Sequence, residues 1–161
     1  MTGSAGAFGG YVVQLARADG LTVVADASEA DEDLVRGLGA DVVVRRGDDV
    51  AERIRQHFPE GVDGLANGSV QDALVLPAAR DGGKVATVRG YRGDGSGRIE
   101  VFPTLVRHYA ENAAALDRLR EQVEEGAVTL RVARTFAAEE APEAHRVLAA
   151  GGVRGRLVIT F

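Results

Sequence analysis

Apolar and polar positions along the chain repeat with two different periods, and the change from one to the other predicts the elements. Gly6 to Asp19 carries Tyr11, Val12, Leu15 and Ala16 at helical spacing, which predicts a helix with those four as its apolar stripe. Leu21 to Ala25 is rich in β-branched residues and too short for a helix, so it is predicted as a strand. Ser28 stands as an N-cap for a helix through Leu38, with Asp31 three residues on and Gly39 as its stop. Asp41 to Val44 predicts a strand, Asp48 to Phe58 a helix stopped by Pro59, and Val62 to Ala66 a strand. Val70 to Ala79 predicts another helix and Gly83 to Val88 another strand.

Strands alternating with helices of this length imply βαβ units and a doubly wound, mainly parallel α/β sheet. The rhythm changes after the flexible stretch Arg92 to Gly97. Ile99 to Val106 reads as extended despite Pro103, and Tyr109 to Glu125 as a long helix with Leu116, Leu119 and Val123 on one side. Thr129 to Phe136 predicts a strand, Glu139 to Ala149 a helix and Arg156 to Phe161 a final strand. No internal repeat and no low-complexity tract interrupts the order.

Composition narrows the picture. The chain has 161 residues, 45% of them hydrophobic, and a mean hydropathy of −0.05. That is one domain of ordinary size, able to bury roughly 70% of its unfolded surface. No run of apolar residues is long enough to span a bilayer, and no signal-peptide pattern opens the chain, so the expected location is cytoplasmic. Cysteine is absent, which excludes disulfides and thiolate zinc sites. A formal net charge of −5 argues against nucleic-acid and membrane-surface partners. Lys84 is the only lysine among 19 basic residues, and with the many Ala and Gly this suggests a GC-rich bacterial source.

Candidate chemistry begins in the first residues. Gly3, Ser4, Ala5, Gly6, Ala7, Phe8 and Gly9 set three glycines at a G-x-x-G-x-x-G spacing just before a helix. A diphosphate needs backbone N–H groups at close range with no Cβ in the way, and a helix N-terminus adds a favourable partial charge. A plain glycine-rich turn shares this spacing. The helix, the strand and then the acid Asp26 that follow favour the phosphate reading. Asp26, followed by Ala27 and Ser28, is placed to accept hydrogen bonds from an adenosine ribose and to repel a 2′-phosphate. Glu29, Asp31, Glu32 and Asp33 follow with no Arg or Lys among them, so NAD(H) is expected over NADP(H). Most of these acids are read as a solvated helix start favoured by the helix dipole.

Thr2 to Gly9, Gln14-Leu15-Ala16 and Gly37 to Asp41 together resemble the cofactor-binding half of zinc-independent quinone oxidoreductases, in the medium-chain dehydrogenase/reductase superfamily. The similarity continues through Gly61-Val62-Asp63 and Asp81 to Val85, and closes with Glu139 to His145 and Gly155 to Val158. It covers essentially the whole chain. The resemblance implies a Rossmann-like sheet whose first strand is truncated to Met1-Thr2. It implies a dinucleotide-binding domain over 1–128 and a strand-helix-strand segment over 129–161 that in the family returns to a catalytic domain. It implies hydride transfer from a nicotinamide cofactor to a quinone or to an activated alkene or carbonyl, without a metal. It also implies that Asn67-Gly68 and Val88-Arg89-Gly90 approach the cofactor through backbone groups, and that Phe102, Thr104 and Leu105 meet the nicotinamide carboxamide.

Departures from the family pattern accompany this. Family members carry a catalytic domain ahead of the glycine loop, and none stands ahead of it in this sequence, so no catalytic residue is named. Asn67 stands where the family usually has Asp, and Arg156 where it usually has Lys. Met1 occupies the place of a family Val, and GTG both encodes Val and can start translation, so the natural reading frame is expected to extend upstream. A short-chain dehydrogenase would need a Tyr with Lys four residues later. Tyr11, Tyr91 and Tyr109 are followed at that spacing by Leu15, Gly95 and Ala113. His57, His108 and His145 lack metal-ligand spacing, and Arg45-Arg46 reads as a solvated pair or as part of an adenine rim. The alternative to an enzyme part is a non-catalytic dinucleotide-binding or dimerisation module. With its first strand reduced, the sheet is expected to recruit a second copy, its C-terminal strand pairing across chains or folding back into the sheet.

Overall fold

The computed structural model describes all 161 residues. Its strands are β1 (Val24–Ala27), β2 (Val42–Arg45), β3 (Val62–Asn67), β4 (Ala79–Thr87), β5 (Glu100–Pro103), β6 (Val132–Ala137) and β7 (Arg156–Thr160). The helices are α1 (Ala7–Ala18), α2 (Glu32–Gly37), α3 (Val50–His57), α4 (Ala113–Glu124) and α5 (Ala141–Ala150). Every strand pair is parallel, as helical crossovers require.

The ladders fall into three groups, β1-β2, β3-β4-β5 and β6-β7. Between the first two lies the Met1-Thr2 segment. Thr2 forms a single parallel bridge with Asn67. This break also explains why β1 begins at Val24 rather than at Leu21. A strand is held by its neighbours: Val23 O still accepts from the Asp41 and Val42 amides, whereas the Leu21 amide donates back to Ala16 O at 3.0 Å, at the end of α1.

Two further elements differ from the pattern. Val70 to Ala79 is no α-helix but a 3-10 helix over Asp72–Ala78 containing Pro77. Val70 and Asp72 have positive φ, which no α-helical start accommodates. β4 then begins at Ala79, earlier than expected, with a register irregularity between Val62 and Gly64 of its partner. The long helix expected from Tyr109 starts only at Ala113, with Asn112 accepting a hydrogen bond from the Ala115 amide as its cap. It buries no residue, so Leu116 and Leu119 face solvent.

The core splits along the same gap. Val24, Val44, Val50, Ile54, Leu65 and Val85 pack around α3, while Val13, Val23, Ala25, Ala27 and Val35 pack under α1 and α2. Alternate residues of β1 thus serve opposite faces. α1 buries Gly9, Gly10 and Val13, while Tyr11, Val12, Leu15 and Ala16 are only half-buried. The expected stripe is displaced because the glycines bring the helix down onto the loop before it.

Candidate functional site

Met1-Thr2 staples the two half-sheets at the carboxyl ends of their strands. The Thr2 amide donates to Ala66 O at 3.0 Å and the Gly68 amide to Thr2 O at 3.0 Å. On the other side the Asp26 amide donates to Met1 O at 3.2 Å. The chain then turns at Gly3, in the left-handed region at φ +76°, where a Cβ would lie 2.8 Å from the Gly68 carbonyl carbon. Gly68 is equally constrained, since its own Cβ would fall 2.9 Å from Thr2 O. Gly3 and Gly68 are therefore glycines because two backbones cross there.

Gly9 has the same cause in harsher form. A Cβ on it would lie 2.1 Å from Gly3 O and 2.7 Å from Ser4 Cα. Gly6 differs. It is the N-cap of α1 at φ −67°, and its Cβ would have only Gly3 O nearby, at 3.4 Å. Nothing in the protein demands glycine at Gly6, so the open space beside it is free for a ligand. The amides of Ala7 and Phe8 lie in the first turn of α1, where no intrahelical acceptor exists.

Two residues brace this loop from outside. Asp26, with its side chain fully buried, accepts from the Ser4 amide at 3.0 Å, from Ser4 Oγ at 3.2 Å and from Arg46 Nε at 3.3 Å. Arg131, at the approach to β6, donates to Ala5 O at 3.2 Å and to Gly6 O at 2.8 Å. With those carbonyls turned toward Arg131, the peptide planes turn the following amides the opposite way. Sequence reasoning missed Arg131 because the contact is long-range. Its only trace was Gly10, where a Cβ would lie 2.2 Å from an Arg131 nitrogen.

The rim after β1 is a set of ion pairs. Ser28 Oγ donates to Asp31 at 2.5 Å, and Arg154 grips the same carboxylate through two nitrogens, one at 2.7 Å. The Arg154 hydrogen bond holds the Asp31 carboxyl below its ordinary value, against the opposing effect of burial. Arg45 pairs with Glu29 and Arg46 with Asp26. The two arginines therefore bind the acids of the rim.

The remaining expected residues reach the same edge unevenly. Asn67 is buried, accepts from Thr2 Oγ1 at 3.0 Å and from Ser69 Oγ at 3.1 Å, and so ties the loop to β3. After β4, Arg89 and Gly90 are both left-handed, at φ +62° and +83°, which turns the chain directly beyond Val88. The Thr104 amide donates to Thr87 O at 2.8 Å, carrying exposed Thr104 and half-buried Leu105 past the edge. Phe102 lies apart, on the wall of a cavity with Lys84 and Ala86. Ala27 is buried.

An open α/β sheet with a glycine loop between two of its strand ends is the architecture of dinucleotide-binding dehydrogenases. A family model described as zinc-binding dehydrogenase matches residues 38–159, and the chain belongs to that family, within the medium-chain dehydrogenase/reductase superfamily. Among solved structures it is similar to AibC, with 30% identity, a TM-score of 0.81 and 99% of this chain covered against 47% of that one. It is similar in fold to the quinone oxidoreductase from Coxiella burnetii, at 24% identity, TM-score 0.83 and coverage of 99% and 51%. A mycobacterial protein complexed with NADPH matches at 21% identity and TM-score 0.83, over 99% of this chain and 56% of that one. The chain thus spans about half the length of the structures it matches.

The residues present fit a dinucleotide, because the space beside Gly6 is open and the loop around it is braced. No three His, Cys, Asp or Glu side chains form a group that could hold a metal ion.

Proposed function

We propose that this chain is the nucleotide-binding part of an NAD(P)-dependent, quinone oxidoreductase-like enzyme. The observation that carries the reading is Gly6, where a Cβ would meet nothing closer than 3.4 Å while its neighbours are locked by buried contacts. The diphosphate would lie over Gly3 to Gly9, on the amides at the start of α1. Asn67-Gly68 and Val88 to Gly90 would pass beneath the cofactor with backbone groups, and Thr104-Leu105 would meet the carboxamide. Ala27 and Ser28 would flank the adenosine. Asp26 would act there chiefly through the loop it braces, its carboxylate being occupied by Ser4 and Arg46.

When bound, a nicotinamide supplies hydride for a quinone or an activated alkene or carbonyl. This chain's residues bind and orient it, and none is assigned to the chemistry. NAD(H) remains the favoured form, by a small margin, since Asp26, Glu29 and Asp31 are each paired with an arginine. The division into 1–128 and 129–161 is part of the proposal, although Arg131 and Arg154 tie the second segment firmly to the first.

The second reading is a non-catalytic dinucleotide-binding or dimerisation module, favoured by the exposed Leu116 and Leu119 of α4. Titration with NADH and a turnover assay with a quinone separate the two. Binding with turnover supports the enzyme, binding alone supports the dinucleotide-binding module, and no binding overturns both of these and leaves only the dimerisation module.

A further inference from the structure

Just beyond β1, two acids meet two arginines. Asp26 is buried under the glycine loop, and Asp31 is buried at the end of the 3-10 turn Glu29–Asp31. Arg46 directly follows β2, and its amide donates to Ala27 O at 2.8 Å. Arg154 arrives from the loop between α5 and β7, which the Arg156 amide pins to Arg131 O at 2.7 Å. Both arginine side chains stay open to water, 40% exposed for Arg46 and 38% for Arg154.

Neither guanidinium is fully engaged. Arg46 bonds Asp26 through Nε alone, and Arg154 bonds Asp31 through Nε and Nη2. Both Nη atoms of Arg46 and Nη1 of Arg154 have no partner in the chain, and none of them is buried. Free guanidinium N–H groups are forked donors suited to a phosphate. What opposes a phosphate here is charge, since two carboxylates cancel two guanidinium groups. The two acids do so from different positions. Asp26 is fully covered and accepts from the Ser4 amide and hydroxyl, so it belongs to the glycine loop. Asp31 accepts only from Ser28 Oγ and Arg154. Its carboxyl is held low first by the Arg154 hydrogen bond and further by the charge of Arg46. Asp31 therefore answers to both arginines without holding the loop.

With adenosine beside Ala27 and Ser28, on which this rests, we infer that Asp31 rather than Asp26 decides between a ribose with a free 2′-hydroxyl and one carrying a 2′-phosphate. Asp31 reaches that spot through Ser28, whose Oγ donates to it at 2.5 Å. With Asp31 ionised, the two acids and two arginines are neutral together, and the free N–H groups of Arg46 and Arg154 bring no net attraction. A 2′-phosphate, carrying roughly −1.5 to −2 at neutral pH, then gains little to offset its lost hydration. Without that one carboxylate charge the cluster keeps a net positive charge, and Arg46 and Arg154 become a clamp for the phosphate. Asp31 thus holds closed a site that the arginines have already built.

The test titrates the full chain with NADH and NADPH by fluorescence, and with AMP and adenosine 2′,5′-bisphosphate by calorimetry. Within each pair the ligands differ by the 2′-phosphate alone. Asp31→Asn should tighten NADPH and the bisphosphate by roughly tenfold and leave NADH and AMP unchanged. Raising the salt should shrink that gain. Adding Arg154→Gln to Asp31→Asn should remove most of it. Arg154→Gln alone leaves the Asp31 charge without its partner. It should weaken NADPH and the bisphosphate further and spare NADH, which keeps the test decisive if Asp31→Asn does not fold. A merely structural role for Asp31 would shift all four ligands together, and that result overturns the assignment. So does parent protein that binds NADPH far more tightly than NADH. NADH binding with no response of the 2′-phosphate ligands to Asp31 or Arg154 overturns the role of Asp31 alone, whereas binding of none of the four overturns the dinucleotide reading itself.

Discussion

Gly6 and Gly9 lie three residues apart in one loop and should respond oppositely to the same substitution. Gly9→Ala gains about 0.5–1 kcal/mol of helix propensity. Against this, the new Cβ lies 2.1 Å from Gly3 O and 2.7 Å from Ser4 Cα, both backbone atoms of a braced turn. Overpacking costs about 1–3 kcal/mol, so the net loss is on the order of 1–2 kcal/mol and Tm falls by about 2–8 °C. Gly6→Ala adds a methyl at φ −67° with its nearest neighbour at 3.4 Å. Its fold cost is the weaker N-cap alone, up to about 1 kcal/mol. Binding takes the larger loss, because that methyl enters the space assigned to the diphosphate. We expect NADH affinity to drop by roughly tenfold, about 1.4 kcal/mol, and Gly6→Val to abolish binding. Thermal melts by circular dichroism read the first effect. NADH fluorescence, free of interference from a chain without Trp, reads the second. A Gly9→Ala protein that melts like the parent refutes the close packing, and unchanged NADH affinity in Gly6→Ala refutes the phosphate assignment.

Asp26→Ala should leave the Ser4 amide and Arg46 without their acceptor and cost about 1–3 kcal/mol, read as a lower Tm before any cofactor is added. Matched titrations should show NAD(H) bound somewhat better than NADP(H), and clearly tighter NADP(H) binding would contradict the charge argument. Asp31 has its carboxyl held low by Arg154, so its contribution is present above the unfolded carboxylate range and fades as pH falls through the lower folded value. The Tm difference between parent and Asp31→Asn should accordingly persist at neutral pH and vanish in strong acid. Burial pushes the Met1 ammonium down to about 6, so the unfolded chain binds more protons above that pH and stability should rise toward pH 8. Light scattering should find a homo-oligomer, given exposed Leu116, Leu119, Val132 and Phe161, and a monodisperse monomer would defeat that expectation.

Local patterns carried much of the fold in this sequence. Short β-branched runs between amphipathic stretches determined a parallel α/β sheet, and the glycine spacing marked the loop, because both signals depend on neighbours within a few residues. The 3-10 helix at Asp72–Ala78 escaped, since its positive-φ start at Val70 and Asp72 is not written in residue type. Only the tertiary structure decided which glycine does what. Gly9 is held by the Gly3 carbonyl and Gly68 by the Thr2 carbonyl, whereas Gly6 faces open space. It also turned Asp26 from a free acid into a brace between Ser4 and Arg46, and brought Arg131 and Arg154 from the far end of the chain onto the first loop and its rim. Such contacts join residues far apart in sequence, where no periodicity reaches, and it is chain folding that sets the distance between a charge and its partner.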